Sequence, residues 1–330
     1  MPCLEYGESD MCFDMRLKLI RTTVAIAIVA GCFREASAQQ IHRTFQVSLA
    51  EPVTLHVELE QGDLQIGYAR DGEVAITIVA SGNLDANAEA ASFAGQLRVD
   101  ATNNHLDVRS APGSSPGVRL TYRIDVPYRT EVDASLEYGK ARISGILGPV
   151  NVRVGFGDIE ASRISLGTTA HTRTGDLNFD LVGGRVEAQT EHGNVVCQRA
   201  SQGINAETGD GDIFLAVVGA SDAIIKTGGG RIDAVGVRGP LHASASSGEI
   251  FVRAVPHDDW QLSSISGTVR LQLPHGSGFD LDLGTNSGEV VIAHTNLKNP
   301  NPGVHHINEK ANGGGKRIEV RTESGRIVIS

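Results

Sequence analysis

A glycine returns every 18 residues or so through more than half of the chain, always in the same setting. The series is Gly139, Gly157, Gly175, Gly193, Gly211, Gly230, Gly248, Gly267, Gly288 and Gly325, with steps of 18, 18, 18, 18, 19, 18, 19, 21 and 37. A fixed short period marks a repeat architecture in which each unit buries its apolar face only by stacking on neighbours. Such folds present long surfaces.

The residues around each glycine alternate. Two and four positions after it they are apolar, as in Ile159/Ala161, Val195/Cys197 and Ile250/Val252. Seven and five positions before it they are mostly apolar too, as in Val150/Val152, Ile204/Ala206 and Trp260/Leu262. A period of two is that of a strand with one buried face. Each repeat therefore predicts two short strands with glycine at the bend, where positive φ or close passage of a neighbouring backbone excludes a side chain. Three residues before the glycine stands a small hydroxylated residue in most repeats, such as Thr172, Thr190, Thr208 and Thr227. Facing inward, it can pack its methyl and hydrogen-bond through its hydroxyl.

The expected fold is all-β: a parallel β-solenoid (β-helix or β-roll) of about 18-residue coils, with neighbouring coils about 4.8 Å apart. At roughly 1.5–3 kcal/mol per buried large aliphatic side chain, four or five inward positions per coil make a thin but viable core. Residues 1–38 read as a signal peptide, 39–131 as N-terminal strands and cap, and 132–330 as regular coils with a loop insertion at 296–316. Gly62 sits in the same register as the later glycines, and the Ala-rich run 85–96 predicts one short helix in the cap.

Arg16, Lys18 and Arg21 precede an apolar core at Val24–Ala30 that is short for a membrane span. Ala36-Ser37-Ala38 is a small-x-small cleavage pattern ending at Ala38, and Met15 is an alternative start. Val29-Ala30-Gly31-Cys32 competes as a lipobox, which would lipidate Cys32. Both readings export the protein. Beyond this segment the single cysteine is Cys197, at an inward position, where a small buried hydrophobe is the plain reading. A net charge of −10 argues against a nucleic-acid partner, and a lipid anchor is the one expected route to a membrane.

Candidate chemistry is sparse. The position after the glycine is often acidic (Asp63, Asp158, Asp176, Asp212, Glu249, Glu289), which raises calcium. The nine-residue calcium-binding repeat is absent, however, so a solvated row of turn residues is the expectation. Thr208-Gly209-Asp210-Gly211-Asp212 and Gly313-Gly314-Gly315-Lys316 lack the strand–loop–helix context of a phosphate loop. His305-His306 has no ligand company that spacing could supply. Asp258 and Asp259 beside Trp260 resemble a sugar site, but Trp260 falls on the inward register. No catalytic residue, cofactor or metal site is expected.

The glycine-anchored units, the lead-in from Phe45-Gln46-Val47 to Leu64-Gln65-Ile66, and Tyr122-Arg123-Ile124-Asp125-Val126-Pro127 together resemble the bacterial putative-adhesin β-strand-repeat family, a domain of unknown function. Thr174-Gly175-Asp176-Leu177, Ser247-Gly248-Glu249-Ile250 and the closing Ser324-Gly325-Arg326-Ile327 carry the same resemblance, which spans residues 41–330. It implies a parallel β-solenoid of the cell envelope, in the periplasm, at the outer membrane or on the surface, and no assigned catalytic residues. The expected function is a non-enzymatic adhesin, binding or scaffold protein with an envelope protein or glycan partner. The alternatives are a carbohydrate-active β-helix enzyme and an envelope-stress accessory protein. Exposed terminal coils also leave self-association open.

Overall fold

The computed structural model describes residues 27–31, 40–49, 51–69, 73–82, 97–110, 118–294, 297–298 and 303–330. These are all-β: 29 strands in two large, mostly parallel sheets of 15 and 14 strands among the described residues, with no helix. The short helix expected at 85–96 lies outside the described residues, as do Cys32 and Ala38.

The first eight strands are β1 (Ala27–Gly31), β2 (Gln40–Ser48), β3 (Val53–Gln61), β4 (Asp63–Tyr68), β5 (Glu73–Gly82), β6 (Leu97–Thr102), β7 (His105–Ser110) and β8 (Val118–Val126). From β9 (Thr130–Tyr138) and β10 (Ala141–Ile146) to β23 (Trp260–Ser264) and β24 (Val269–Gln272) the chain visits the two sheets alternately. From β9 to β22 each strand pairs in parallel with the strand two elements on: Val150 opposite Thr168, Thr168 opposite Val186, Ile159 opposite Leu177, Leu177 opposite Val195. Two strands with their two corners thus make one winding on the next, an arrangement consistent with a solenoid. The alternating residues face a shared interior in which Ile159, Leu177, Val195, Ile213, Ile232 and Ile250 are fully buried. Aliphatic and alanine side chains fill it because both sheets contribute inward rows to a narrow space. Phe179 and Trp260 are among its few large aromatic residues.

Both ends depart from sequential stacking. At the N-terminal end β3 and β4 lie directly against β9 and β10, with Leu55 opposite Val132 and Leu64 opposite Ala141. Gly62 is therefore the first member of the glycine column. β8 flanks β4 in parallel and continues through antiparallel pairing to β5 and β2, while β7 and β6 finish the other sheet. β1, within the expected signal peptide, pairs antiparallel with β2; cleavage after Ala38 would leave β2 as that margin.

The C-terminal end has β25 (Phe279–Thr285), β26 (Val290–Ile292), β27 (His306–Ala311), β28 (Lys316–Thr322) and β29 (Ile327–Ile329). β28 pairs with β23 on one side and β25 on the other, and β29 sits between β24 and β26. The last winding is thus inserted beneath the one before it, and the glycine column runs Gly267, Gly325, Gly288. The segment expected as a loop at 296–316 contains β27, antiparallel to β25. Acidic side chains clasp the inserted strand from both neighbours. Lys316 Nζ lies 3.1 Å from Asp258, Asp259 accepts the Arg317 amide at 2.9 Å, and Arg317 and Arg321 donate to Asp282 at 2.6 and 2.8 Å.

Candidate functional site

The conspicuous column of glycines is a packing device. A β-carbon at any of Gly139, Gly157, Gly175, Gly193, Gly211, Gly230, Gly248, Gly267, Gly325 or Gly288 would fall within 3.0 Å of the carbonyl oxygen of the glycine one winding below. Positive φ adds to the demand at some of them, including Gly248 at φ +111°. The carbonyls that crowd this corner are used. Thr172, Thr190, Thr208 and Thr227 donate their hydroxyls to Gly157, Gly175, Gly193 and Gly211 at 2.8–3.1 Å.

The residues after the glycines form a second ladder. Asp158 accepts the amide of Asp176 at 3.0 Å, Asp176 that of Asn194 at 2.8 Å, Asn194 that of Asp212 at 2.9 Å, and Asp212 that of Arg231 at 2.7 Å. These aspartate and asparagine side chains satisfy corner N–H groups that side chains or water must otherwise cover. Among the described residues, no group of three or more His, Cys, Asp or Glu is placed to hold a metal ion.

The remaining candidates are dispersed. Cys197 is fully buried, and burial pushes its thiol up to about 12, which keeps it protonated. Trp260 is buried in the core, while Asp258 and Asp259 are spent on the inserted strand. Gly209 lies within a strand, and Gly313–Gly314 form the turn into β28 with both glycines at φ +87°. The Gly315 amide donates to Asp280 at 3.0 Å. His306 opens β27 and lies 3.8 Å from Asp282. Burial raises the Asp282 pKa, but hydrogen bonds from Arg317 and Arg321 outweigh it and hold the carboxyl below the usual carboxylate range.

A concavity of about 890 Å³ lies on the outer face of the fourteen-stranded sheet, beside the glycine corner. Glu207, Lys226, Ser244, Ser263 and Arg321 occupy one row across it, each in register with its neighbour on the adjacent strand. His305 and His306 close its far end. From Gly230 onward the turn before the glycine widens: the strands end at Thr227, Ala245 and Ser264, leaving Ser246 and Asn286 in the opening. Lys226 has no ionic partner among the described residues. The groove offers hydroxyls, one free ammonium and an imidazole pair along an open track, a set able to bind an extended polar ligand. Apart from the His305-His306 pair, its outward residues gave no sequence signal, because outward positions of a repeat carry no periodic constraint.

Three comparisons bear on identity. The model of the Toastrack domain, DUF4097, matches residues 54–330, so the chain belongs to that family, a domain of unknown function. No protein of curated function matches the sequence. Similar solved structures include a putative adhesin from Bacteroides fragilis (14% identity, 88% of this chain and 97% of that chain, TM-score 0.34). Others are a putative adhesin from Parabacteroides distasonis (8% identity, 87% and 96%, TM-score 0.36) and a putative cell adhesion protein from Clostridium sporogenes (11% identity, 89% and 99%, TM-score 0.22).

Proposed function

We propose that this Toastrack chain is an exported parallel β-solenoid that acts in the cell envelope as a non-enzymatic binding or scaffold protein. The observation that carries the reading is the long polar track on the fourteen-stranded sheet, where Lys226, Ser244, Ser263 and Arg321 stand in register on successive strands. An array fixed by a rigid core suits recognition of an extended partner, a glycan or a peptide of another envelope protein, at low ordering cost. The secretory pattern ending at Ala38 and the lipobox at Cys32 support export.

The test is cell fractionation joined to intact-mass analysis of the mature chain. The reading expects an envelope fraction with the chain starting at Gln39, or at a diacylglyceryl-modified Cys32. An uncleaved chain in the cytoplasm would refute export. Release of reducing ends from a glycan panel would refute the non-enzymatic role.

A further inference from the structure

A second groove, of about 800 Å³, runs along the corner opposite the glycines and has a different chemistry. Six windings place a left-handed residue here: Gly145, Arg163, Leu181, Arg199, Val217 and Gly236, with φ between 54° and 73°. Glycine adopts this conformation without strain, whereas a β-branched residue such as Val217 is a clear outlier there. Four side chains are nevertheless held at positions where the fold itself accepts glycine. Residues kept in such conformations point toward function.

Their order is regular. Arg163 is followed two residues on by Ser165, Leu181 by Gly183, Arg199 by Ser201 and Val217 by Gly219. A cation with a hydroxyl thus alternates with an aliphatic side chain beside a glycine, at a repeat of two windings, or roughly 9–10 Å. One winding beyond Val217 the left-handed residue is Gly236, and the cation comes from Arg238, two residues on in the column of Ser165 and Ser201. Arg163 and Arg238 have no ionic partner among the described residues, and the one carboxylate paired with a lining cation there is Asp180. Arg199 is fixed by Asp180, with Nε at 2.8 Å. At the other end stands exposed Tyr128, set edge-to-face against Tyr68 at 5.7 Å. This is a local electropositive track on a chain of net charge −10.

We propose that this groove binds an extended acidic polysaccharide with a carboxylate on every second sugar. A β-linked pyranose chain advances per residue by close to one winding. Carboxylates on alternate sugars then meet Arg163, Arg199 and Arg238, the intervening rings lie on Leu181 and Val217, and Tyr128 offers a ring face at the end. The site is separate from the polar track of the fourteen-stranded sheet and stands or falls independently of it.

Calorimetric titration of the mature chain with hyaluronan oligosaccharides, which alternate uronate and N-acetylhexosamine, tests the assignment. Chito-oligosaccharides of equal length, polyglutamate and anionic phospholipid vesicles serve as comparisons. The expected result is salt-sensitive binding of hyaluronan above all three, weakened about tenfold or more in Arg163→Ala/Arg238→Ala and unchanged in Arg98→Ala, an exposed arginine of β6 outside both grooves. Leu181→Gly/Val217→Gly separates site from scaffold: it is expected to raise the melting temperature while weakening binding. Absence of hyaluronan binding, equal affinity for any comparison ligand, or variants that bind like wild type would overturn the proposal.

Discussion

Replacement of Gly248 by alanine isolates the physical reason for the 18-residue signal. The new methyl would meet the backbone carbonyl of Gly230, which cannot retreat because it is locked into the stack. Left-handed backbone costs a residue with a β-carbon about 1–2 kcal/mol, and forcing a methylene into a close-packed site costs about 1–3 kcal/mol more. The sum is roughly 2–5 kcal/mol, and at about 2–4 °C per kcal/mol for a chain of this class the midpoint should fall by roughly 10 °C. Two other glycines separate the terms. Gly313 has φ +87° but open space around it, and Gly276 has open space without positive φ. Gly313→Ala is expected to lose about 1–2 kcal/mol and Gly276→Ala to stay within about 0.5 kcal/mol of wild type. Thermal and urea unfolding followed by far-ultraviolet circular dichroism reads all three. A Gly248→Ala midpoint equal to that of Gly313→Ala would refute the carbonyl contact as the reason for the glycine column.

Three further outcomes follow from the packing. Thr208→Val removes the hydroxyl that bonds the Gly193 carbonyl at 2.8 Å while keeping the shape; it should cost about 1 kcal/mol in urea unfolding, and Thr208→Ser should recover most of it. Asp282 has a folded-state pKa below its unfolded value, so its contribution is complete above the usual carboxylate pKa and disappears as pH falls through the folded value. Asp282→Asn should therefore destabilise the chain at neutral pH and lose less stability than wild type in the acid range; parallel pH profiles would contradict this. Cys197, with its thiol pushed up to about 12, should resist iodoacetamide in the native state at neutral pH and react once urea unfolds the chain. Prompt native labelling would place it outside the core.

The repeating body of the fold was legible because period-two burial and a sterically obligatory glycine both leave marks in composition. Ile159, Val195 and Ile250 are inward as their spacing requires, and the threonines before the corner bond as their position suggested. The stacking order at the ends was not legible. Alternation reports which face of a strand is buried, and the inner faces of β25 and β28 read alike. Whether β23 meets one or the other depends on the clasp in which Asp258, Asp259 and Asp282 hold Lys316 and Arg317 and Asp280 accepts the Gly315 amide, contacts that join residues far apart in sequence. The step of 37 residues before Gly325 suggested a loop and concealed β27. The left-handed corner was also silent, because Arg163, Leu181 and Val217 are not residues whose presence marks that conformation. The post-glycine aspartates read as a solvated row of turn residues, and their spacing did not disclose that Asp158, Asp176 and Asp212 accept backbone amides of the next winding.

Stacking of windings in a dry interior, with the final one inserted out of order, is the claim on which the rest depends. The direct measurement is disulfide trapping in a Cys197→Ser background, read by mass spectrometry of linked peptides. Arg270 faces Val328 in register, and Val328 in turn faces Val291. Adjacent parallel strands lie about 4.8 Å apart, within disulfide reach, and strands once removed do not. The pair Arg270→Cys/Val328→Cys should cross-link, and Arg270→Cys/Val291→Cys should not. The reverse pattern would mean that the windings follow chain order, and cross-linking by neither pair would contradict the stacked parallel sheets.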